Sequence, residues 1–391
     1  MIESEFDPYS EESLLKPHDQ HAQLRDVGPV VWLSKYSIWA LARYEEVSTA
    51  LRDWETFCSS AGAGMSNFHH EEPWRPPSLL LEADPPEHTP VRSVVTRILT
   101  RSALEALRAS FDQKANVLVD ELLTRRDIDG VADLCQSFPL QVFPDAMGLK
   151  SPDRKMLLPY ADMAFNAFGP RNELLEQSMK NAAPVAGWIA EQCERSALND
   201  TGFGAQIYAA ADAGTITHEQ APMLVRSLLT AGIDTTIHGL GHTLYCLAKN
   251  PDQWQKLREN KELSRAALDE AVRLLSPVQT FYRTTTRAVE IGGTQLEKNQ
   301  KVLLVLASAN RDPRRWERPD EYDIERETRG HVGFGAGVHM CVGQMLARLE
   351  AEVLLTVLAR KVKSIELLKT PELRLNNTLH ALANLPLRLL A

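Results

Sequence analysis

The sequence predicts a mainly α-helical protein with small β-sheets, organised as one domain over residues 1–391. Three observations carry that reading. Apolar and charged residues recur at three- and four-residue spacings through most of the stretch from Arg92 to residue 275. Short β-branched and aromatic runs stand before and after that stretch. No linker-like composition divides the chain.

Taken in order, VVWL (30–33) and YSIWALA (36–42) read as two strands joined by a turn. Six prolines then fall within the 20 residues EEPWRPPSLLLEADPPEHTP (71–90), which restricts the backbone and predicts an ordered, non-helical loop. Arg92 to Leu123 reads as helix. Thr217 with Gln220 makes a capping-box pattern ahead of APMLVRSLLTAGIDTTIHGLGHTLYCLAK. That helix could run about 30 residues, roughly 45 Å. Asn250 and Pro251 suit the N-cap and first position of the next helix. VEIGGTQLEKNQKVLLVLAS (289–308) reads as short strands around a Gly-Gly turn. Residues 310–337 are too polar and proline-marked for a regular element, and 342–362 are helical again.

At 44% hydrophobic residues the chain can bury a large core. With 43 basic and 52 acidic residues its net charge is −9, which disfavours nucleic acid as a main partner. A local basic patch for an acidic protein partner stays possible. The five cysteines are scattered and form no CxxC pair, which disfavours zinc and a disulfide framework and fits a reducing cytoplasm. The acidic N-terminus carries no apolar run of signal-peptide type, and no stretch reaches 18 uninterrupted apolar residues, so no membrane span is expected.

The segment GFGAGVHMCVGQ (333–344) concentrates chemistry. Cys341 lies just before a helix, where unpaired N–H groups and the helix dipole favour a thiolate. Gly335, Gly337 and Gly343 permit close approach of the backbone or positive φ. A thiolate ringed by N–H donors, beside room for a flat object, suits a metal in a macrocycle, and His339 could donate to an anionic group on it. Taken alone, such a cysteine could equally be a buried free thiol.

The whole string Phe334-Gly335-x-Gly337-x-His339-x-Cys341-x-Gly343 resembles the haem-ligand signature of the cytochrome P-450 family, and the likeness extends over nearly the whole chain. The resemblance implies a single triangular-prism-like domain and haem b (iron protoporphyrin IX) with Cys341 as its axial ligand. It implies a monooxygenase whose electrons come from NAD(P)H through a ferredoxin reductase and a 2Fe–2S ferredoxin. Glu270 and Arg273, an i, i+3 pair that could by itself be an exposed helical ion pair, match the family's internal ExxR lock, with Arg326 as third member. Ala231-Gly232-Ile233-Asp234-Thr235-Thr236, which could by itself merely bend a helix, matches its oxygen-activation motif. There Thr235 and Asp234 would handle protons, and Ala231 and Gly232 would leave space over the haem. His88, Arg92, Arg283 and His339 match propionate-contacting positions. Arg97 and Arg101 are candidates for a ferredoxin-docking patch.

WRPPSLLLEADPPEHT, FPDAMGLK, AFNAFGP, MLVRSLLTAGIDTT and SPVQTFYRTTTR further resemble a bacterial subgroup that oxidises para-substituted benzoates, characteristically demethylating 4-methoxybenzoate. A benzoate needs a flat apolar slot and a fixed partner for its carboxylate. Arg75, Ser78, Arg226 and Thr230 are candidates for the partner, and Phe165, Phe168 and Tyr282 for the slot. Thr230 and Tyr282 depart from the subgroup's Ser and Phe, which bears on the preferred para substituent. Four other readings stay open: a monooxygenase of another small aromatic acid; an H2O2-driven peroxygenase, which an Asp–Thr proton relay disfavours; a non-enzymatic haem-thiolate sensor or carrier; and a haem-free protein with a structural Cys341.

Overall fold

The apolar periodicity of the middle of the chain is realised as helices that each bury one face. The computed structural model describes residues 1–391. In it, Arg92 to Leu123 falls within helices His88–Ile98, Arg101–Glu105 and Arg108–Arg125. The last turns Phe111, Ala115, Leu118, Val119 and Leu122 inward, the spacing of a single helix face. Each large side chain so buried contributes roughly 1.5–3 kcal/mol relative to exposure.

The expected long helix is two, Gln220–Ala231 and Asp234–Lys249. Its start is held as the capping box requires: Thr217 N donates to Gln220 Oε1 (2.9 Å), and Gln220 N to Thr217 Oγ1 (3.2 Å). The break falls at Gly232–Ile233, where the Thr235 and Thr236 hydroxyls donate back to the carbonyls of Ala231 (2.8 Å) and Gly232 (3.1 Å). A Cβ on Gly232 would meet the Phe143 ring at 2.5 Å, so only glycine lets that ring pack against the break. Asp234–Lys249 is buried along most of its length. It packs on Ser264–Leu275, which packs on Gln344–Lys361. Asn250 stands ahead of helix Pro251–Glu259, but its side chain donates to the Cys246 carbonyl (2.8 Å) and closes the preceding helix instead of capping the next.

The flanking apolar runs join into one six-stranded sheet, in the order Glu3–Ser4, Val30–Leu33, Ile38–Leu41, Lys301–Val305, Thr280–Thr285, Phe57–Cys58. The hairpin Val289–Ile291 and Thr294–Leu296 turns through Gly292 and Gly293 at φ +55 and +74. A smaller sheet of Asp127–Asp129, Pro386–Leu390 and Ser364–Leu367 ties the chain's end to its middle. Residues 71–87 carry no helix or strand, as the prolines dictate, but the expected loop ends short of 90: helix His88–Ile98 takes Pro90 into its first turn, where a missing N–H costs no helix bond. No helix is long and apolar enough to cross a membrane.

Candidate active site

The break in the central helix faces the cysteine loop across a mainly apolar cavity of about 290 Å³. Ala231, Gly232 and Thr235 line one side, and Phe334, Gly335, Cys341 and Gly343 the other. The loop is shaped from within: Cys341 N donates to the Phe334 carbonyl at 2.7 Å, and Gly335 and Gly337 take φ of +70 and +67. A Cβ on Gly337 would stand 2.6 Å from the Leu51 carbonyl, so glycine lets the loop lie directly on helix Tyr44–Arg52. Cys341 is the one cysteine of the five that is not buried, and the surface it exposes is cavity wall. Burial pushes its thiol up, although the Gly343 and Gln344 backbone groups and Arg92 and Arg348 pull it down. In the protein alone, dehydration thus outweighs the helix-terminus effect expected from sequence.

Cations ring the same cavity. Arg283 is 3% exposed and donates only to the Tyr282 carbonyl (2.8 Å), with no carboxylate in ion-pair range. Burial lowers its pKa to about 10 against the upward pull of Asp84. Arg92 donates to the Met340 carbonyl (2.6 Å) and likewise has no acidic partner. His339 reaches Asp84 Oδ1 through Nε2 (2.8 Å) and the Leu80 carbonyl through Nδ1 (3.2 Å). His88 does not line the cavity; its ring stacks 4.8 Å behind that of His339, and its buried Nε2 has no partner. Buried guanidinium without an anion is costly. A buried and a half-buried guanidinium, neither with an acidic partner, on a mainly apolar cavity with a thiol on one wall fit a haem with two propionates and a sulfur ligand.

At the helix break, Thr235 lines the cavity while Asp234 points away from it into the protein. Asp234 accepts from Arg374 Nη2 (3.1 and 3.3 Å) and lies 3.3 Å from His238 Nε2. Burial raises its carboxyl, but His238 and Arg374 outweigh it and hold the group below the ordinary carboxylate range. Arg374 also pairs with Asp162 (3.2 Å). Sequence reasoning missed Arg374, since nothing in the sequence marks its approach to residue 234.

Behind the cavity, Glu270 and Arg273 are fully buried and doubly bonded, Nε to Oε2 at 2.7 Å and Nη2 to Oε1 at 2.9 Å. Arg326 Nε adds a third contact to Glu270 Oε1 at 2.9 Å, as expected. Arg273 also donates to the carbonyls of Asn310, Pro319 and Glu321, which fastens the irregular 310–337 segment to helix Ser264–Leu275.

At the other end of the cavity, Arg75, Ser78, Arg226, Thr230, Phe165 and Phe168 are brought together. Arg75 and Arg226 both donate to the Pro76 carbonyl (3.0 Å each). Arg75 is paired with Glu82 (2.8 Å), whereas Arg226 has no carboxylate partner. The Thr230 hydroxyl is turned back to the Arg226 carbonyl (2.8 Å). Tyr282 is a correction: it does not line the slot. Strand alternation turns it to the opposite sheet face, where its hydroxyl meets that of Tyr9 at 2.5 Å and its ring packs with Val31, Leu33 and Leu303. Its neighbour Phe281 takes the wall position, its ring 5.4 Å from that of Phe168. Ser227, also missed, contacts Ser78 through their hydroxyls (3.2 Å); its place beside Arg226 on the helix was the available signal. Arg97 and Arg101 are exposed and outside the cavity.

The cytochrome P450 family profile matches residues 139–387. The chain is 53% identical over 385 residues to "Cytochrome p450 CYP199A2" of Rhodopseudomonas palustris, covering 98% of this chain and 93% of that one. It is 29% identical to "Cytochrome P450 107B1" of Saccharopolyspora erythraea over 95% and 94% of the two chains. Among solved structures it superposes on cytochrome P450 CREJ in complex with (4-ethylphenyl) dihydrogen phosphate with a TM-score of 0.88, at 26% identity over 98% of this chain and 99% of that one. With that coverage, and a cysteine loop facing a broken helix across a cation-ringed cavity, the chain belongs to the cytochrome P450 family of haem monooxygenases.

Proposed function

We propose that the enzyme oxidises the para substituent of benzoate-type acids, with oxidative O-demethylation of 4-methoxybenzoate as the representative reaction. One observation carries this reading: a guanidinium without a carboxylate partner, Arg226, stands with Ser78 and Ser227 at one end of a cavity whose walls are Phe165, Phe168 and Phe281. An anion held there by charge-assisted hydrogen bonds leaves the para carbon of its ring pointing along the apolar slot toward the helix break. The similar cytochrome P450 CREJ is seen in complex with (4-ethylphenyl) dihydrogen phosphate, a para-substituted aryl phosphate of the same general shape.

Cys341 would hold the iron of haem b, and Arg283, Arg92 and His339 its propionates; so held, the group would supply oxygen activation. The chain does the rest. The phenylalanines exclude water, and Arg226 fixes the substrate's distance and orientation. Thr235 and Asp234 bring protons to the break; Thr235 Oγ1, now donating to the Ala231 carbonyl, can turn its proton into the cavity. One O2, two electrons and two protons convert the methyl ether to the phenol, formaldehyde and water. The electrons come from NAD(P)H through a ferredoxin reductase and a 2Fe–2S ferredoxin.

The test is optical titration of the haem-loaded enzyme with benzoates differing at the para position, followed by NADH-driven turnover. A spin-state shift with 4-methoxybenzoate and stoichiometric formaldehyde are expected. Absence of any shift with every para-substituted benzoate overturns the substrate assignment.

A further inference from the structure

Asp234, His238 and His242 stand at four-residue spacings on one face of helix Asp234–Lys249, and all three are buried. The His242 ring lies 5.0 Å from that of His380, and the His380 ring 5.5 Å from that of His18 in the first turn of helix Pro17–Val27. His21 follows one turn on, also buried. Seven buried nitrogens of these five imidazoles have no protein partner: both of His18, both of His242, and the Nδ1 of His21, His238 and His380. They make up half of the fourteen such side-chain atoms in the molecule, so the deficit is concentrated here. Buried polar atoms take partners, and water with two to four polar neighbours is the partner that suits a polar site of this kind. The rings are not arranged as metal ligands.

The row has two ends. At the inner end, His238 Nε2 meets Asp234 Oδ1 (3.3 Å) and Arg374 Nη2 (3.0 Å), and its Nδ1 is the unpartnered atom. At the outer end, His18 lies partly exposed in the first turn of helix Pro17–Val27. Arg311 acts on His18, His21 and His380, Arg25 acts on His21, and Asp162 shares Arg374 with Asp234. Burial lowers His21 to about 3 and His380 to about 4, and His18 and His242 well below the ordinary imidazole value, reinforced by the cations at His18, His21 and His380 and by the neighbouring imidazoles at His242. A neutral imidazole has one donor and one acceptor nitrogen, which lets it take a proton on one side and release one on the other.

We propose that His18, His380, His242 and His238, bridged by water, conduct protons from the partly exposed His18 end of the row to Asp234. This rests on the reading that Asp234 delivers protons at the helix break, and adds the route by which Asp234 is resupplied. Each ring gains a proton at one nitrogen, loses one at the other, and resets by turning about its Cβ–Cγ bond, which exchanges the two nitrogens without sending the proton back. For each proton that Asp234 gives up, one leaves bulk solvent. These histidines are positioning residues for proton supply, and none of them lines the cavity.

The holoenzyme tests this in its diamagnetic ferrous–carbonyl state, by ¹⁵N-edited NMR of imidazole N–H exchange with water. The expected result is exchange within seconds at His242 and His380. In His242→Phe, exchange at His238 slows at least about tenfold, NADH-driven turnover falls about tenfold, and its solvent deuterium isotope effect rises. His242→Gln, which keeps polar atoms, retains most of both. If His242→Phe does not fold, His380→Phe carries the same expectations. Ring N–H groups protected for hours, or a folded Phe variant with unchanged exchange at His238 and an unchanged isotope effect, overturn the conduit. Reduced turnover in Asp234→Asn beside an inert His242→Phe overturns the conduit alone, whereas unchanged turnover in Asp234→Asn overturns it together with the reading it rests on.

Discussion

Arg273→Ala is expected to destabilise the protein far more than Arg326→Ala, although both residues contact Glu270. Arg273 is completely buried and makes two bonds to Glu270 and three to the carbonyls of Asn310, Pro319 and Glu321. Its removal breaks a buried ion pair, at a cost of about 3–5 kcal/mol, and strips donors from three carbonyls. Arg326 is partly exposed; its loss removes one contact to Glu270 and its bonds to the Glu317 and Arg318 carbonyls but leaves the Glu270–Arg273 pair intact, so about 1–2 kcal/mol is expected. At about 2.1 cal/mol/K per residue, a chain of 391 residues unfolds with about 0.8 kcal/mol/K. A loss of about 4 kcal/mol therefore lowers Tm by about 5 °C, against about 1–3 °C for Arg326→Ala. Thermal unfolding followed by far-ultraviolet circular dichroism reads both. Replacing the pair together, Glu270→Leu with Arg273→Met, should recover part of the loss, because no lone charge stays buried. Equal effects of the two alanine variants, or Arg273→Ala within about 1 kcal/mol of wild type, would refute the view that this pair fastens the 310–337 segment.

Three further outcomes are expected. Arg226→Leu weakens 4-methoxybenzoate binding by about 10- to 100-fold, the worth of a charge-assisted hydrogen bond, and leaves uncharged 4-methyl anisole unaffected in the same optical titration. Arg283→Leu removes a buried cation without an anionic partner, so the apoprotein gains stability in chemical denaturation while haem retention against a competing apo-globin falls. Lys301, buried and donating to the Ala61 and Gly62 carbonyls, is lowered by burial to about 7. Between that value and its ordinary 10.5 the unfolded chain binds the extra proton, so stability rises with pH through that window. Urea denaturation from pH 7 to 10 should show that rise in wild type and lose it in Lys301→Met.

The sequence showed some features more clearly than others, and the reasons are physical. Helices with a one-sided apolar pattern, such as Arg108–Arg125, announce their buried face, and the Gly292–Gly293 turn announces its hairpin. The cysteine loop and the Glu270–Arg273–Arg326 lock were legible because each is carried by a local string. Long-range pairings were not. Arg374 reaches Asp234 across 140 positions, and Tyr9 reaches Tyr282 across 273, with no periodicity to record either. Tyr282 was misplaced because a one-residue shift along a strand exchanges its two faces, and the local string FYRTTTR does not say which aromatic faces the cavity. The buried histidines went unnoticed because their rings come together from two helices and a C-terminal segment.

The central claim is that Cys341 sulfur holds the haem iron. It is tested by the absorption spectrum of the dithionite-reduced, carbon monoxide-treated holoprotein, for wild type and for Cys341→His. Thiolate ligation predicts the red-shifted Soret band diagnostic of sulfur-ligated haem in wild type, and its replacement in the variant by the band of imidazole-ligated haem. A wild-type spectrum of the imidazole kind, or a Cys341→His spectrum identical to wild type, would contradict it.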